Sequence, residues 1–205
     1  MLYARIPNKL IKDKNITDAT KFIYIALSLH CNQKTNQAFP NQHTIAKKYE
    51  IKQENISRSV KELVEKGYLQ ISKKVKKGKY ASNIYTFVDD LTEKYTIVNA
   101  EILEKYIKKE ISMKNLMFYV KIKRFINDNT FEMIYTTKTE VARIADVDLK
   151  TARKHLLELE KAKIIEIRAN QYEENCIDII LKYEKDILEY DGIRTFGGNE
   201  NEEKI

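Results

Sequence analysis

Five lysines stand within seven residues: Lys73, Lys74, Lys76, Lys77 and Lys79, with Gly78 among them. Cations packed this densely repel one another and need an anionic partner, for which a phosphate backbone is suited. Upstream, Lys52, Gln53, Asn55, Ser57, Arg58 and Lys61 collect amides, a hydroxyl and cations on one short stretch. Asn and Gln can bond adenine through two atoms, and Arg or Lys can do the same with guanine. Glu54 lies among them; it repels phosphate but can accept from cytosine. A second, smaller set follows at Lys150, Thr151, Arg153 and Lys154. This is binding chemistry. No GxxxxGK[ST], GxGxxG or HExxH pattern is present. His30, Cys31, His43, His155 and Cys176 do not fall at a zinc spacing. No Tyr has the neighbouring His cluster that a nicking enzyme would need. We therefore expect no enzymatic activity, no metal and no cofactor.

Charge sharpens the reading. The 205 residues carry 37 Lys+Arg against 30 Asp+Glu, a formal net charge of +7. Residues 1–90 hold 17 basic and 8 acidic side chains; residues 91–205 hold 20 and 22. The surplus therefore sits entirely in the first part. Lys, Ile, Asn and Tyr are abundant throughout, as an AT-rich genome would produce. Five Gly and two Pro argue against a Gly-rich loop enzyme or a turn-rich sandwich. No apolar run nears the roughly 20 residues that cross a bilayer, and residues 1–12 lack a signal peptide's apolar stretch. Two Cys make no disulfide framework and fit a reducing cytosol, so a cytoplasmic location is expected.

Elements must position these side chains. Residues 17–31 have helical spacing, with Phe22, Ile23, Ala26, Leu27 and His30 on one face. Phe39-Pro40 is extended, because Pro restricts its predecessor. Asn41 can cap a helix over 42–49 that points Ile45, Ala46 and Tyr49 inward. A turn plugged by Ile51 leads to a third helix over 53–66, with Ile56, Val60, Leu63 and Val64 buried. Gly67 is placed to end it. Strands follow over 69–75 and 82–88, with Lys73 and Lys74 on the first and Lys76-Lys77-Gly78-Lys79-Tyr80 as the tip between them. Thirteen Tyr without a Trp raise the question of base stacking. Tyr24, Tyr49, Tyr68, Tyr85 and Tyr119 fall at core positions instead.

The pattern then recurs. Residues 39–71 read FPNQHTIAKKYEIKQENISRSVKELVEKGYLQI, and residues 135–167 read YTTKTEVARIADVDLKTARKHLLELEKAKIIEI. They align without a gap at an offset of 96, apolar on apolar. Upstream, Phe22-Ile23-Tyr24 aligns with Met117-Phe118-Tyr119, and Tyr3 and Ile6 align with Tyr95 and Val98. The boundary falls at 89–93. Thr137 with Glu140 makes a capping box, and Asp148 caps the third helix of the second copy, over 149–161. His155 is expected partly exposed on that helix.

Helix, helix, short turn, helix and hairpin is the winged helix-turn-helix order. Ile6-Pro7, Phe39-Pro40-Asn41-Gln42, Ile45-Ala46, Ile56-Ser57-Arg58-Ser59-Val60, Lys66-Gly67-Tyr68-Leu69 and Ser82-Asn83-Ile84-Tyr85 carry a further likeness. In these the chain resembles the winged-helix domain of Firmicute plasmid and phage replication proteins and related regulators. The resemblance covers residues 1–90. It implies duplex DNA binding and, as process, replication initiation, with transcriptional regulation or partition as alternatives; from another class, the residues also leave open a protein-interaction adaptor built on winged helices.

The expected architecture is α+β, mainly α: two tandem winged helix-turn-helix domains, each of three helices and a two-stranded hairpin. They would span 1–90 and 93–190, with a possible short helix over 183–190 and a flexible tail at 191–205. The second copy has Lys163 for Gly67 and an acidic wing at 170–175. Two readings stay open for it. Its third helix reads DNA, so that the pair contacts half-sites about 34–36 Å apart. Or it docks a second copy of the chain, or a replication or regulatory protein.

Overall fold

The computed structural model describes residues 2–32, 34–76, 79–88, 94–127 and 129–182, leaving out the side chains of 74–76 and 79–82. The chain forms two compact units, Met1–Arg124 and Phe125–Ile205. The division does not fall at the sequence-repeat boundary of 89–93. The first unit takes in the strand and helices over 95–123, which the sequence expectation assigned to a second domain. The expected helix over 183–190 and the tail lie outside the described residues.

The first unit runs β1 (Tyr3–Pro7), α1 (Asn8–Lys12), α2 (Asp18–Ser28), β2 (Gln37–Ala38), α3 (Gln42–Tyr49), α4 (Gln53–Glu65), β3 (Leu69–Lys76), β4 (Lys79–Phe87), β5 (Tyr95–Asn99), α5 (Ala100–Ile107) and α6 (Met113–Lys123). Helix α2 is its centre. The Thr17 hydroxyl caps it by accepting from the Thr20 amide at 3.2 Å. Every residue from Thr20 to Ser28 is buried. The one-sided helix expected here is thus enclosed, because β1, α4 and α6 pack around it. His30, expected on the inner face, is exposed beyond the helix end. Lys21 brings a cation into this mostly apolar interior. Its ammonium donates to the Ile11 carbonyl at 2.9 Å and lies 3.9 Å from Asp18. Burial pulls its pKa below the ordinary lysine value.

Two sheets flank this helix. β1 and β5 pair antiparallel, with Tyr3 opposite Asn99, Arg5 opposite Ile97 and Pro7 opposite Tyr95. The ladder is centred on Arg5 and Ile97, which the sequence repeat makes equivalent. No local pattern announced this pairing. The second sheet has order β2-β4-β3. The expected two-stranded hairpin is therefore three-stranded. Gln37 and Ala38, just before the extended Phe39-Pro40, pair with Thr86 and Tyr85. Tyr24 of α2 meets Phe87 of β4 edge-on at 5.1 Å, which holds the sheet to the core.

The second unit runs β6 (Glu132–Thr136), α7 (Lys138–Ala145), α8 (Leu149–Lys161), β7 (Glu166–Ala169) and β8 (Ile177–Ile180). Its sheet is also three-stranded, order β6-β8-β7. Thr137 caps α7 through the Glu140 amide at 3.0 Å. Glu140 does not complete the expected capping box; its carboxylate bonds Arg143 at 2.8 Å instead. The order β-α-α-β-α-α-β-β thus occurs twice along the chain.

Helices α4 and α8 end alike. The Gly67 amide donates to Val64 at 3.0 Å and the Tyr68 amide to Leu63 at 2.9 Å. The Lys163 amide donates to Glu160 at 2.9 Å and the Ile164 amide to Leu159 at 3.0 Å. Both closures need a left-handed residue, with φ of 77° at Gly67 and 57° at Lys163. Glycine adopts it freely, whereas a side chain costs about 1 kcal/mol. A Cβ on Gly67 would meet nothing within 4 Å, so the backbone angle alone sets the cost there. Gly67→Ala should therefore destabilise the protein by about 1 kcal/mol, and Lys163→Gly should stabilise it by up to about 1 kcal/mol. Urea denaturation of both variants checks the opposite signs; a loss of stability in Lys163→Gly would contradict the account.

Candidate nucleic-acid interface

Helix α4 presents two faces. Ile56, Ser59, Val60 and Leu63 are buried. Val64, expected with them, is exposed, because it stands one position beyond the stripe. The Ser59 hydroxyl is 3.1 Å from that of Thr20, and Thr20 also donates to the Glu62 carboxylate at 2.7 Å. This buried junction fixes how α4 rolls against α2. Sequence reasoning missed it, although a serine within an apolar stripe was the signal.

The opposite face holds Lys52, Gln53, Asn55, Ser57, Arg58 and Lys61, all exposed. Ser57 donates to the Gln42 side chain at 2.8 Å, tying α4 to the start of α3. Lys61 sits 3.7 Å from Glu65. Between the helices, Glu50 takes a left-handed turn (φ 53°) and the Ile51 amide returns to Ala46 at 3.0 Å. That turn is what lets α4 leave α3 at once. Ile51, expected as its plug, is half-buried.

Beyond α4, the chain carries its lysines outward along β3. Leu69 is buried, while Ile71 and Lys73 on the same strand face are exposed. Lys74 pairs in register with Ser82, and Lys76 with Lys79. The side chains of Lys74, Lys76 and Lys79, and the whole of Lys77, lie outside the described residues.

Residues 14–69 match the family model of a helix-turn-helix domain. No curated protein matches the chain. The match takes in α2, α3 and α4 and ends on the first residue of β3. The helix-turn-helix domain points to DNA as partner, and α4 is the second helix of that motif. Among the described residues no helix is long and apolar enough to cross a membrane.

The second unit places its set differently. Lys150, Arg153 and Lys154 are exposed on α8. Lys154 faces Glu158 at 3.9 Å. Thr151 is half-buried, and its hydroxyl donates to Asp148 at 2.5 Å while its amide donates at 2.9 Å. These bonds, the hydroxyl's first, hold the Asp148 carboxyl below its usual range. Thr151 is thus engaged in the cap. His155, expected partly exposed, is buried with Nδ1 3.8 Å from Glu158. At the place of Lys61, α8 has an exposed Leu157. The acidic loop is ordered by Asn170, whose side-chain Oδ1 accepts from the Tyr172 and Glu173 amides at 2.9 Å each.

Capping separates the two third helices. Asp148 caps α8, but Lys52 offers α4 no side-chain bond. The first turn of α4 thus has Lys52 and Glu54 at its positive end and no side-chain cap, an arrangement poor for stability. Lys52→Asp should therefore stabilise the protein by about 1 kcal/mol, seen as a raised midpoint in thermal melts. It should also weaken duplex binding about tenfold in mobility shifts, as expected from removing roughly one charged hydrogen bond. Unchanged affinity in the stabilised variant would remove Lys52 from the interface.

Proposed function

We propose that the protein binds specific duplex DNA sites through α4 and the β3–β4 hairpin, as a tandem pair of winged helix-turn-helix domains. One observation carries the reading. All six polar residues anticipated on α4 face solvent, on a helix locked to its support by the Thr20–Ser59 junction. The hairpin rising beside it holds five lysines. Amides and Arg58 would read base edges in the major groove, and the lysines would hold phosphates. No catalytic step belongs to this role. Replication initiation at a plasmid or phage origin is the process we favour, from the resemblance of residues 1–90. Transcriptional regulation uses the same binding act and differs only in where the sites lie.

For the second unit we favour a protein partner. The loop at 170–176 is acidic and would be repelled by phosphate, and Tyr172 on it is 81% exposed. Leu157 adds an apolar group where α4 has a lysine.

Mobility shifts of the full chain across a salt series test the DNA reading. Binding should fall steeply with salt. Replacing Lys73, Lys74, Lys76, Lys77 and Lys79 by Gln should flatten the log–log slope by about 0.9 for each phosphate that is no longer neutralised. An unaltered slope would sink the hairpin's role.

A further inference from the structure

Beside the turn between α3 and α4 lies a groove of about 520 Å³, lined by residues of α2 and α4, by Tyr106 of α5 and by Met113 of α6. We propose that it binds a small organic anion with an apolar body, such as an aromatic carboxylate or sulfonate. The volume lies within the range of small-molecule sites. Ala19 and Ile23 of α2, Ile51, Tyr106 and Met113 supply its apolar lining. Arg58 and Lys52 stand at its rim.

Charge decides the sign of the ligand. The two carboxylates at the groove are engaged: Glu62 accepts from Thr20 at 2.7 Å, and Glu50 pairs with Lys109 at 3.0 Å. Among the described residues, neither Arg58 nor Lys52 has a carboxylate within ion-pair distance. An anion therefore meets uncommitted cations above an apolar floor, and a cation would have to break existing bonds. Planar guanidinium pairs with a carboxylate or sulfonate through two parallel bonds. Arg58 and Lys52 also belong to the proposed DNA face. A bound anion then occupies the groups that DNA needs, and the groove is an effector site. The ligand site stands on the groove alone; its effect on DNA rests on the function proposed above.

The test is a fluorescence titration of the full chain with 8-anilinonaphthalene-1-sulfonate. One saturable site is expected. Ala19→Trp, at an exposed position, fills the groove and should abolish binding. Arg58→Ala, also exposed, should weaken it about tenfold. Circular dichroism melts confirm that both variants fold. Binding that neither substitution changes, as to partly unfolded protein, overturns the site, as does the absence of a saturable phase. Adding duplex DNA that the protein shifts should displace the probe; retention of probe by the DNA complex overturns the effector role. Probe binding that follows both substitutions in a protein that shifts no DNA supports the ligand site and refutes the DNA function instead.

Discussion

Helix α2 has no solvent face between Thr20 and Ser28, and the first unit is organised by that enclosure. An interior helix must have neighbours on all sides. β1 covers one side, α4 another and α6 a third. Each carries something that α2 alone could not hold. β1 brings β5 by pairing, α4 brings the exposed polar face, and α6 brings α5 by packing. The buried polar side chains of α2 have partners of their own. Thr20 bonds Ser59 and Glu62, Lys21 bonds the Ile11 carbonyl, and Ser28 bonds Arg5. These bonds cost desolvation but are directional, so they fix the roll of each neighbour where apolar packing alone would tolerate slippage.

What the sequence showed and hid divides along the same line. Caps and stops are local, and Asn41, Gly67, Thr137 and Asp148 act where their types and spacing placed them. The outward set on α4 was legible because a helix of known start and one apolar stripe leaves few choices. The missed features are long-range. Gln37-Ala38 is too short to show a period of two, and becomes a strand only because β4 offers it an edge. The β1–β5 ladder joins Tyr3 to Asn99 across most of the first unit's sequence. His155 looked like a polar surface residue because its buried surroundings could not be seen. The enclosure of α2 was hidden for the same reason, since spacing shows an apolar face but not how many partners will cover it.

The two third helices show how one element order supports different balances of stability and binding. α4 ends on a glycine suited to its left-handed turn and begins on a lysine that cannot cap it. α8 reverses both, with Asp148 as a bonded cap and Lys163 held at φ 57°. The first turn of α4 already holds the exposed Glu54, and an aspartate in place of Lys52 would set a second carboxylate at that end. On the proposed reading, the missing cap on α4 limits that repulsion, and the core bonds behind the helix hold it in its place. α8 keeps the cap, spends Thr151 on it and places a leucine where α4 has a lysine. On the proposed reading, that helix is free to be stable because phosphate is not its main partner. The same logic explains the charge. The acidic loop at 170–176 would be a liability beside a phosphate backbone, but not on a module that docks protein. On the same reading, the basic surplus of the chain marks the half of it that approaches DNA.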